Sequence, residues 1–202
     1  VDDTTYTVTL PETLDNEFTP NYQDDGEVRI TPVFKELGAV ALWCADTKTL
    51  YFDYDPQPTQ DIVAGGEWQG HTVTAVWKGT AVTSVGWSRP GWLSVSREVE
   101  TVEFTEGFAA VRPTSCYAWF YSMINLTTIN GLANLNTSEV TNMNSMFGNC
   151  SSLVEIDVNS FDVSKVTNAS TMWRTCSSLT SIYCDKTWNI GTTTDMFLYS
   201  HN

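Results

Sequence analysis

Apolar side chains in the C-terminal half of the chain recur at the same intervals three times. They occupy positions i, i+3, i+4 and i+7 of three short segments: Cys116, Trp119, Phe120 and Met123; Met143, Met146, Phe147 and Cys150; and Ala169, Met172, Trp173 and Cys176. In an α-helix this spacing places all four side chains on one face. The pattern therefore predicts three short helices.

A second apolar rhythm follows each of these segments, and it has the short spacing of a strand with one face inward, as in Ile156 and Val158. Phe120 and Phe147 are 27 residues apart, and Phe147 and Trp173 are 26 apart. Self-similarity at such a period is typical of stacked repeats. We therefore expect these three rings to line up in one internal file.

The residues ahead of the repeats have the alternation of β-strands. Ala39–Trp43 and Thr49–Asp53 flank Asp46, Thr47 and Lys48, which favours a hairpin. Further strands are predicted at 72–77, 82–87 and 99–104, and two more at 6–10 and 28–31 in an acidic N-terminal stretch. The predicted organisation is an N-terminal strand or linker segment (1–33), a β-rich N-terminal cap (34–109) and a repeat array (110–202) of about three coils plus a partial fourth.

Two stretches, LNTSEVTNMNSMFGNCSSL (135–153) and FDVSKVTNASTMWRTCSSL (161–179), carry a family resemblance. They resemble the repeat of the BspA-like bacterial surface proteins, which are relatives of the leucine-rich repeats. The resemblance implies an α/β fold, namely a right-handed leucine-rich-repeat-like solenoid of short helix plus strand coils, preceded by the mostly β cap. It also implies a surface-exposed or secreted bacterial protein, and it brings no catalytic residue with it.

Charge and hydropathy argue against several classes of function. The formal net charge is −14 and the pI about 4.2, which argues against nucleic-acid binding and against binding to anionic membranes. The longest apolar run, Leu37–Ala45, is too short to cross a bilayer, because about 20 residues are needed. We therefore expect no membrane insertion by this chain, in which neither a secretory signal nor an anchor is visible.

The five cysteines predict buried free thiols at Cys150 and Cys176, since both belong to the apolar pattern. A disulfide between them is the alternative, and Cys44, Cys116 and Cys184 leave other pairings open. The chain has two histidines and no CxxC, so we expect no metal site and no cofactor. His71 would be the imidazole base of any nucleophile, and no nucleophile motif accompanies it, so we expect no enzyme.

Tryptophans crowd the predicted cap, and most of them are expected to form its core. Trp68 follows a Gly-Gly-Glu turn and Trp92 a Pro-Gly turn, so these two are the rings we expect to be exposed and the candidates for ligand binding. The remaining candidate surface is a lateral face of uncharged Ser, Thr and Asn side chains on the repeats.

These observations favour a non-enzymatic adhesion or ligand-binding module that recognises a host protein, a cell-surface protein or a glycan. Two alternatives remain open: a structural spacer within a longer surface protein, and a carbohydrate-binding module that uses the Trp-rich cap. We expect a monomer, with end-to-end association through the open end of the array as a further expectation.

Overall fold

The computed structural model of the chain describes residues 17–22, 28–33, 38–55, 62–83 and 88–200. The chain divides into two compact units, Val1–Leu37 with Pro56–Asp61 and Gly38–Asp55 with Ile62–Asn202. The predicted boundaries after residues 33 and 109 stay predictions.

The described part of the first unit is an antiparallel strand pair. Strand β1 (Glu17–Tyr22) pairs with β2 (Val28–Val33) in a register that places Glu17 opposite Val33. The strand predicted at 28–31 is confirmed by β2, whereas the strand predicted at 6–10 lies outside the described residues.

The second unit is built mainly from strands and turns. Five of the described strands form one sheet in the order β7-β3-β4-β8-β9, and β5-β6 and β10-β11 are separate two-stranded sheets. The strands are β3 (Gly38–Cys44), β4 (Thr49–Asp55), β5 (Glu67–Trp68), β6 (His71–Thr72), β7 (Ala75–Lys78), β8 (Thr101–Phe104), β9 (Thr128–Asn130), β10 (Glu155–Asp157) and β11 (Ser181–Tyr183). Pairings β4-β8, β8-β9 and β10-β11 are parallel.

Strand β3 is the most deeply buried strand of the sheet, because both of its faces are covered. Ala39, Ala41 and Trp43 belong to the main core, whereas Val40, Leu42 and Cys44 pack into a smaller cluster with Trp68 and Val73. This two-sided burial explains why the longest apolar run of the chain falls here.

The predicted hairpin at 39–53 is confirmed, since β3 and β4 pair antiparallel with Cys44 opposite Thr49. The strand predicted at 72–77 is interrupted and becomes β6 and β7. At 82–87 the prediction of a strand is wrong in its first part, because Thr80–Thr83 forms helix α1. Residues 84–87 are outside the described part. The strand predicted at 99–104 forms as β8.

The predicted α/β fold, a leucine-rich-repeat-like right-handed solenoid of short helix plus strand coils, is wrong. The described residues are mostly sheet and turn, with α1 as their one α-helix, and none of their sheets is closed or curled. The described residues outside the strands and α1 include three short 3₁₀ segments, Gly91–Val95, Glu106–Ala110 and Leu132–Asn134.

The three segments predicted as helices are pairs of tight turns, and a fourth equivalent segment follows them. We call these segments turn 1 (116–123), turn 2 (143–150), turn 3 (169–176) and turn 4 (193–200). Each has a left-handed backbone at its third and seventh residues, namely Ala118 and Ser122, Ser145 and Asn149, Thr171 and Thr175, and Asp195 and Tyr199. A left-handed residue every fourth position breaks a right-handed helix, yet it returns the apolar side chains to the same side. The periodicity that predicted helices is therefore satisfied by turns.

Successive turns are joined by a ladder of backbone hydrogen bonds. Alternate amides of each turn donate to alternate carbonyls of the next turn, beginning with the residue that precedes it, while the amides between them close the turn itself. Turns 1 and 2 are joined by Cys116 N to Asn142 O (2.9 Å), Ala118 N to Asn144 O (3.0 Å), Phe120 N to Met146 O (2.8 Å) and Ser122 N to Gly148 O (2.8 Å). The same four bonds recur from turn 2 to turn 3 and from turn 3 to turn 4.

The expected file of rings is confirmed. Ring centroids are 5.1 Å apart between Phe120 and Phe147 and 6.3 Å apart between Phe147 and Trp173, and both pairs are stacked. All three side chains are buried. Phe52 of β4 continues the aromatic cluster, with its ring edge-on to Phe120 and parallel to Trp119 at 5.3 Å. The sheet and the turns therefore share one core.

We predict that Phe147→Ala lowers the free energy of unfolding by about 3–5 kcal/mol, because it opens a cavity in the middle of the ring file. Chemical denaturation monitored by tryptophan fluorescence measures this loss. Val154→Ala is the control, since Val154 is 51% exposed and its truncation should change stability by less than about 0.5 kcal/mol. Equal losses in the two variants would contradict the role of the ring file.

We predict that Thr175→Asn raises the free energy of unfolding by about 0.5–1 kcal/mol, because Asn tolerates the left-handed backbone that a β-branched residue resists. Thr175 has φ 61°. Thr194→Asn is the matched control in the next turn, since Thr194 is exposed and is not among the left-handed residues. A gain at Thr194 equal to that at Thr175 would show that backbone strain is not the cause.

Candidate functional site

The two tryptophans expected to be exposed are both buried, so that expectation is wrong. Trp92 is fully buried, and its indole Nε1 donates to the backbone oxygen of Trp119 at 2.6 Å. Trp68 is 9% exposed and packs with its ring 4.9 Å from that of Tyr51. The turns beside them place these rings against the core, so neither offers an open face on which a sugar could stack.

The polar face of the turns contains a notch at Gly148. Tyr121, Gly148 and Arg174 occupy the equivalent sixth position of turns 1, 2 and 3. Because the middle position has no side chain, the column formed by the other two is interrupted. A Cβ on Gly148 would lie 3.1 Å from Tyr121 Cδ2, so the tyrosine ring leans over the glycine. The result is a cleft of about 340 Å³.

Hydroxyl and amide groups form the walls of this cleft, which we call the Gly148 notch. On one side the Oγ of Ser145 and the Oγ1 of Thr171 are 2.7 Å apart. On the other side Asn149 Nδ2 donates to Ser122 Oγ at 3.2 Å, and Thr175 completes the wall. All five of these residues have a left-handed backbone, so the turn geometry itself directs their side chains outward.

The Gly148 notch is locally cationic in a strongly acidic chain. Arg174 is exposed and lines it, while the Arg89 guanidinium lies 4.7 Å from the centre of the Tyr121 ring. None of the residues lining the notch is Asp or Glu, although the chain has 24 acids and 10 bases. The notch therefore suits an anionic or neutral polar ligand better than a cationic one.

A larger groove of about 600 Å³ lies on the strand side of the same unit, between β9 and β10. These strands belong to different sheets, although they are consecutive along the chain and occupy equivalent places after turns 1 and 2. Gly131 lies directly before the 3₁₀ segment that follows β9, with φ 63°, and a Cβ there would collide with the Phe104 carbonyl oxygen. Glu155 and Asp157 line this strand groove, and the Tyr183 hydroxyl donates to Glu155 at 3.2 Å.

The thiols expected to be buried and free, Cys150 and Cys176, are confirmed as such. Their Sγ atoms point to the backbone oxygens of Phe120 and Phe147, each at 3.1 Å. Burial raises the pKa of Cys176 to about 11, and burial together with the neighbouring Cys176 raises the pKa of Cys150 well above its ordinary value. A cysteine nucleophile needs the thiolate form, which a raised pKa disfavours. We therefore assign these two thiols to packing of the core.

Other chemistry is sparse in the described part of the chain. Among those residues no three His, Cys, Asp or Glu side chains lie close enough together to hold a metal ion. The His71 ring stacks on Tyr51 with centroids 5.7 Å apart. The described helices include none with the length and apolar character needed to cross a bilayer.

One comparison with known proteins is informative. Residues 112–201, slightly less than half of the chain, match the family described as Mycoplasma protein of unknown function, DUF285. No curated protein matches the chain, and no solved structure does. The matched segment contains all four turns and the Gly148 notch.

The residues of the notch were not among the sequence-based candidates, although a signal for them exists. Aligning the repeats places Gly148 between Tyr121 and Arg174, and a glycine amid larger side chains marks a gap in the column. The expected lateral face of Ser, Thr and Asn lies where this gap opens. The sequence alone does not reveal the left-handed backbone, and this backbone determines which side chains border the gap.

We predict that one of the five cysteines reacts rapidly with a disulfide reagent at pH 8 in the native protein, and that this is Cys184. It is the exposed cysteine, whereas Cys44, Cys116, Cys150 and Cys176 are buried. Burial raises the pKa values of these four thiols. The absorbance of the chromophore that the reagent releases gives the number of reactive thiols, and it is measured before and after unfolding. Loss of the rapid phase in Cys184→Ser is the control, and rapid reaction of a second thiol would contradict the packing.

Proposed function

We propose that the chain is a non-enzymatic ligand-binding module of a surface-exposed or secreted bacterial protein, and that the Gly148 notch binds a glycan with an acidic group. The observation that carries this proposal is the combination of hydroxyl and amide walls with Arg174 in an acidic chain. Sugar hydroxyls both donate and accept hydrogen bonds, as do Ser145, Asn149 and Thr171. The Arg174 guanidinium would pair with the carboxylate of an acidic sugar.

The size and composition of the notch support binding over catalysis. Its volume of about 340 Å³ lies at the small end of the range for small-molecule sites, about 300–1,000 Å³. Proton transfer needs a positioned acid or base, and the residues lining the notch include no Asp, Glu, His or Cys. A site of this kind can hold a sugar and offers it no general base.

The surface location is proposed on the family evidence. Residues 135–153 resemble the BspA-like bacterial surface repeat almost throughout their length. The match of residues 112–201 to a bacterial family of unknown function is compatible with that resemblance. We propose the BspA-like assignment from this resemblance, and we infer the binding role from the side chains of the notch.

A second candidate function uses the strand groove. An extended peptide can bind along an exposed strand edge through its backbone, and side chains then provide specificity. The edges of β9 and β10 face this groove without belonging to one sheet, and Glu155 and Asp157 favour a basic peptide. A host protein segment rich in Lys or Arg would fit this arrangement.

We predict that an array of neutral and acidic glycans shows binding to the acidic ones, and that Arg174→Gln weakens it by about tenfold or more. The expected loss follows from removing a charge-assisted hydrogen bond, worth about 1.5–3 kcal/mol. Gly148→Ala should also weaken binding, because a methyl group would fill the notch and press on Tyr121.

Arg97→Gln is the matched control, since Arg97 is another exposed arginine and does not line the notch. It should leave glycan binding unchanged. Equal losses in Arg97→Gln and Arg174→Gln would point to a diffuse charge effect and contradict the notch. No binding to any glycan would sink the proposal and favour the structural spacer, while capture of basic peptides alone would favour the strand groove.

A further inference from the structure

The strand groove is a gap between two strands that a regular repeat would pair. Strands β8 and β9 pair in parallel, and so do β10 and β11, but β9 and β10 do not pair. Most Cα atoms of β9 lie more than 8 Å from those of β10. Since paired strands lie about 4.8 Å apart, room for one further strand requires about 9.6 Å. The groove of about 600 Å³ between them is compatible with such a strand.

The gap is local, because the two repeats are in contact at both ends of it. Ser151 Oγ donates to the backbone oxygen of Ile124 at 3.3 Å ahead of the strands. Thr137 Oγ1 donates to the backbone oxygen of Asp162 at 3.0 Å beyond them. The separation is therefore confined to the strands and to the loop that follows β9.

An insertion of one residue accompanies the gap. The segment 130–136 is one residue longer than its equivalent, 157–162, and this insertion accounts for the spacing of 27 residues between Phe120 and Phe147. Asn134 Nδ2 donates to the backbone oxygen of Phe104 at 3.2 Å, so the longer loop is held against the end of β8. Gly131 permits this course, because a Cβ there would collide with the same oxygen. Strand β9 thus stays with the main sheet.

Backbone groups at the start of the gap lack the partners that their equivalents have. Thr127 N donates to Glu100 O at 3.0 Å, and Thr180 N donates to Val154 O at 2.8 Å. The equivalent bond between β9 and β10, from Val154 N to Thr127 O, is not formed. Neither of these two groups has another backbone partner among the described residues. Both edges of the gap are therefore open to hydrogen bonding.

The two strands also direct backbone groups into the gap. Alternate residues of a parallel strand bond to the same neighbour. Val154 and Val158 form backbone bonds with the repeat that contains β11, so Glu155 and Asp157, which alternate with them, face the gap. By the same alternation Ile129 faces it from β9. One inserted strand could pair with both edges.

The strands beside the gap alternate between the core and the solvent. Ile156 in the middle of β10 is buried, and Ile129 in the middle of β9 packs against the same core. Their neighbours Glu155, Asp157 and Thr128 are exposed. A strand inserted between them would follow the same alternation, because side chains of neighbouring strands align in rows. It therefore needs apolar residues at every second position.

Charge favours a basic occupant over another segment of this chain. Glu155 and Asp157 line the groove, and none of the lining residues is Lys or Arg. Lys186 is nearby, and its Nζ donates to the backbone oxygen of Asn159 at 2.6 Å. The segments outside the described residues are acidic and include one base, Lys35. A strand drawn from them would place carboxylates beside Glu155 and Asp157, which is unfavourable.

We propose that the gap between β9 and β10 receives one extended peptide strand in which Lys or Arg alternates with apolar residues. The peptide pairs with both edges and joins the two sheets in the order β7-β3-β4-β8-β9-peptide-β10-β11. This inference rests on the second candidate function, peptide binding in the strand groove, and adds the number of strands, the pairing and the side-chain pattern. It is independent of the glycan site, since no residue lines both the groove and the Gly148 notch.

The test uses the whole chain and an acetylated, amidated peptide with the sequence Thr-Lys-Val-Lys-Val-Lys-Thr. Calorimetry measures binding, and hydrogen exchange measures insertion. Exchange should slow by about tenfold or more at the amides of Ile129, Glu155 and Asp157, while exchange in β3 stays unchanged. The same peptide N-methylated at its central Val keeps its charges but loses a backbone donor, so it should not protect these amides.

Charge reversal tests the basic pattern. Glu155→Lys should weaken peptide binding by about fivefold or more, because it replaces an attraction with a repulsion. Glu98→Lys is the matched control, since Glu98 is exposed and does not line the groove. A peptide with Glu in place of each Lys should not bind. Equal weakening by the two variants would show a diffuse charge effect and contradict a basic strand in the groove.

The outcomes separate the inference from the function on which it rests. Peptide binding without slower exchange at the three amides would leave the second candidate function standing and overturn strand insertion. No peptide binding would overturn both. If the three amides exchange as slowly as those of β3 in the chain alone, a segment of the chain itself fills the gap. Protection that rises with protein concentration would assign the gap to a second copy, and either result overturns the proposal.

Discussion

The hydrogen-bond ladder between successive turns is the interaction on which this structure depends. A tight turn can satisfy only about half of its amides internally, because alternate N–H groups point away from the turn. In this chain those amides find carbonyls in the following turn at 2.7–3.0 Å. Buried amides without a partner would each cost about 1–3 kcal/mol, so a single turn would not be stable alone. The ladder thereby fixes both the order of the turns and the positions of their side chains.

The ladder also explains an otherwise unfavourable backbone. Left-handed residues other than glycine cost about 1–2 kcal/mol each, and Thr171 and Thr175 pay this cost with β-branched side chains. In return the third and seventh residues aim their amides along the stack, and the fifth residue places a ring in the core. One hydrogen bond contributes about 0.5–1.5 kcal/mol, and burial of a large apolar side chain about 1.5–3 kcal/mol. Local strain is therefore offset by contacts that only the neighbouring turn can provide.

The ring file could be predicted from the sequence because it depends on spacing alone. Phe120, Phe147 and Trp173 recur at 27 and 26 residues, and any regular stack of equivalent segments brings such positions together. The β3–β4 hairpin was predictable for a similar reason, since its signals are local.

Helices were predicted wrongly because the spacing i, i+3, i+4, i+7 has two solutions. Two helical turns place these residues on one side, and so do two successive four-residue turns. Residue type separates the two solutions in turns 2 and 3, where Ser145, Asn149, Thr171 and Thr175 have poor helix propensity and occupy the third and seventh positions. It does not do so in turn 1, where Ala118 occupies the third position. The burial of Trp92 could not be inferred, because its partner, the Trp119 carbonyl, lies 27 residues away and becomes available only when turn 1 forms.

The candidate binding sites lie where one copy of the repeat differs from the others. A regular column of side chains would leave a uniform surface, but one glycine at position 148 turns the column into a notch. Likewise, the 3₁₀ segment at Leu132–Asn134 follows β9, where the edges of β9 and β10 fail to join into one sheet.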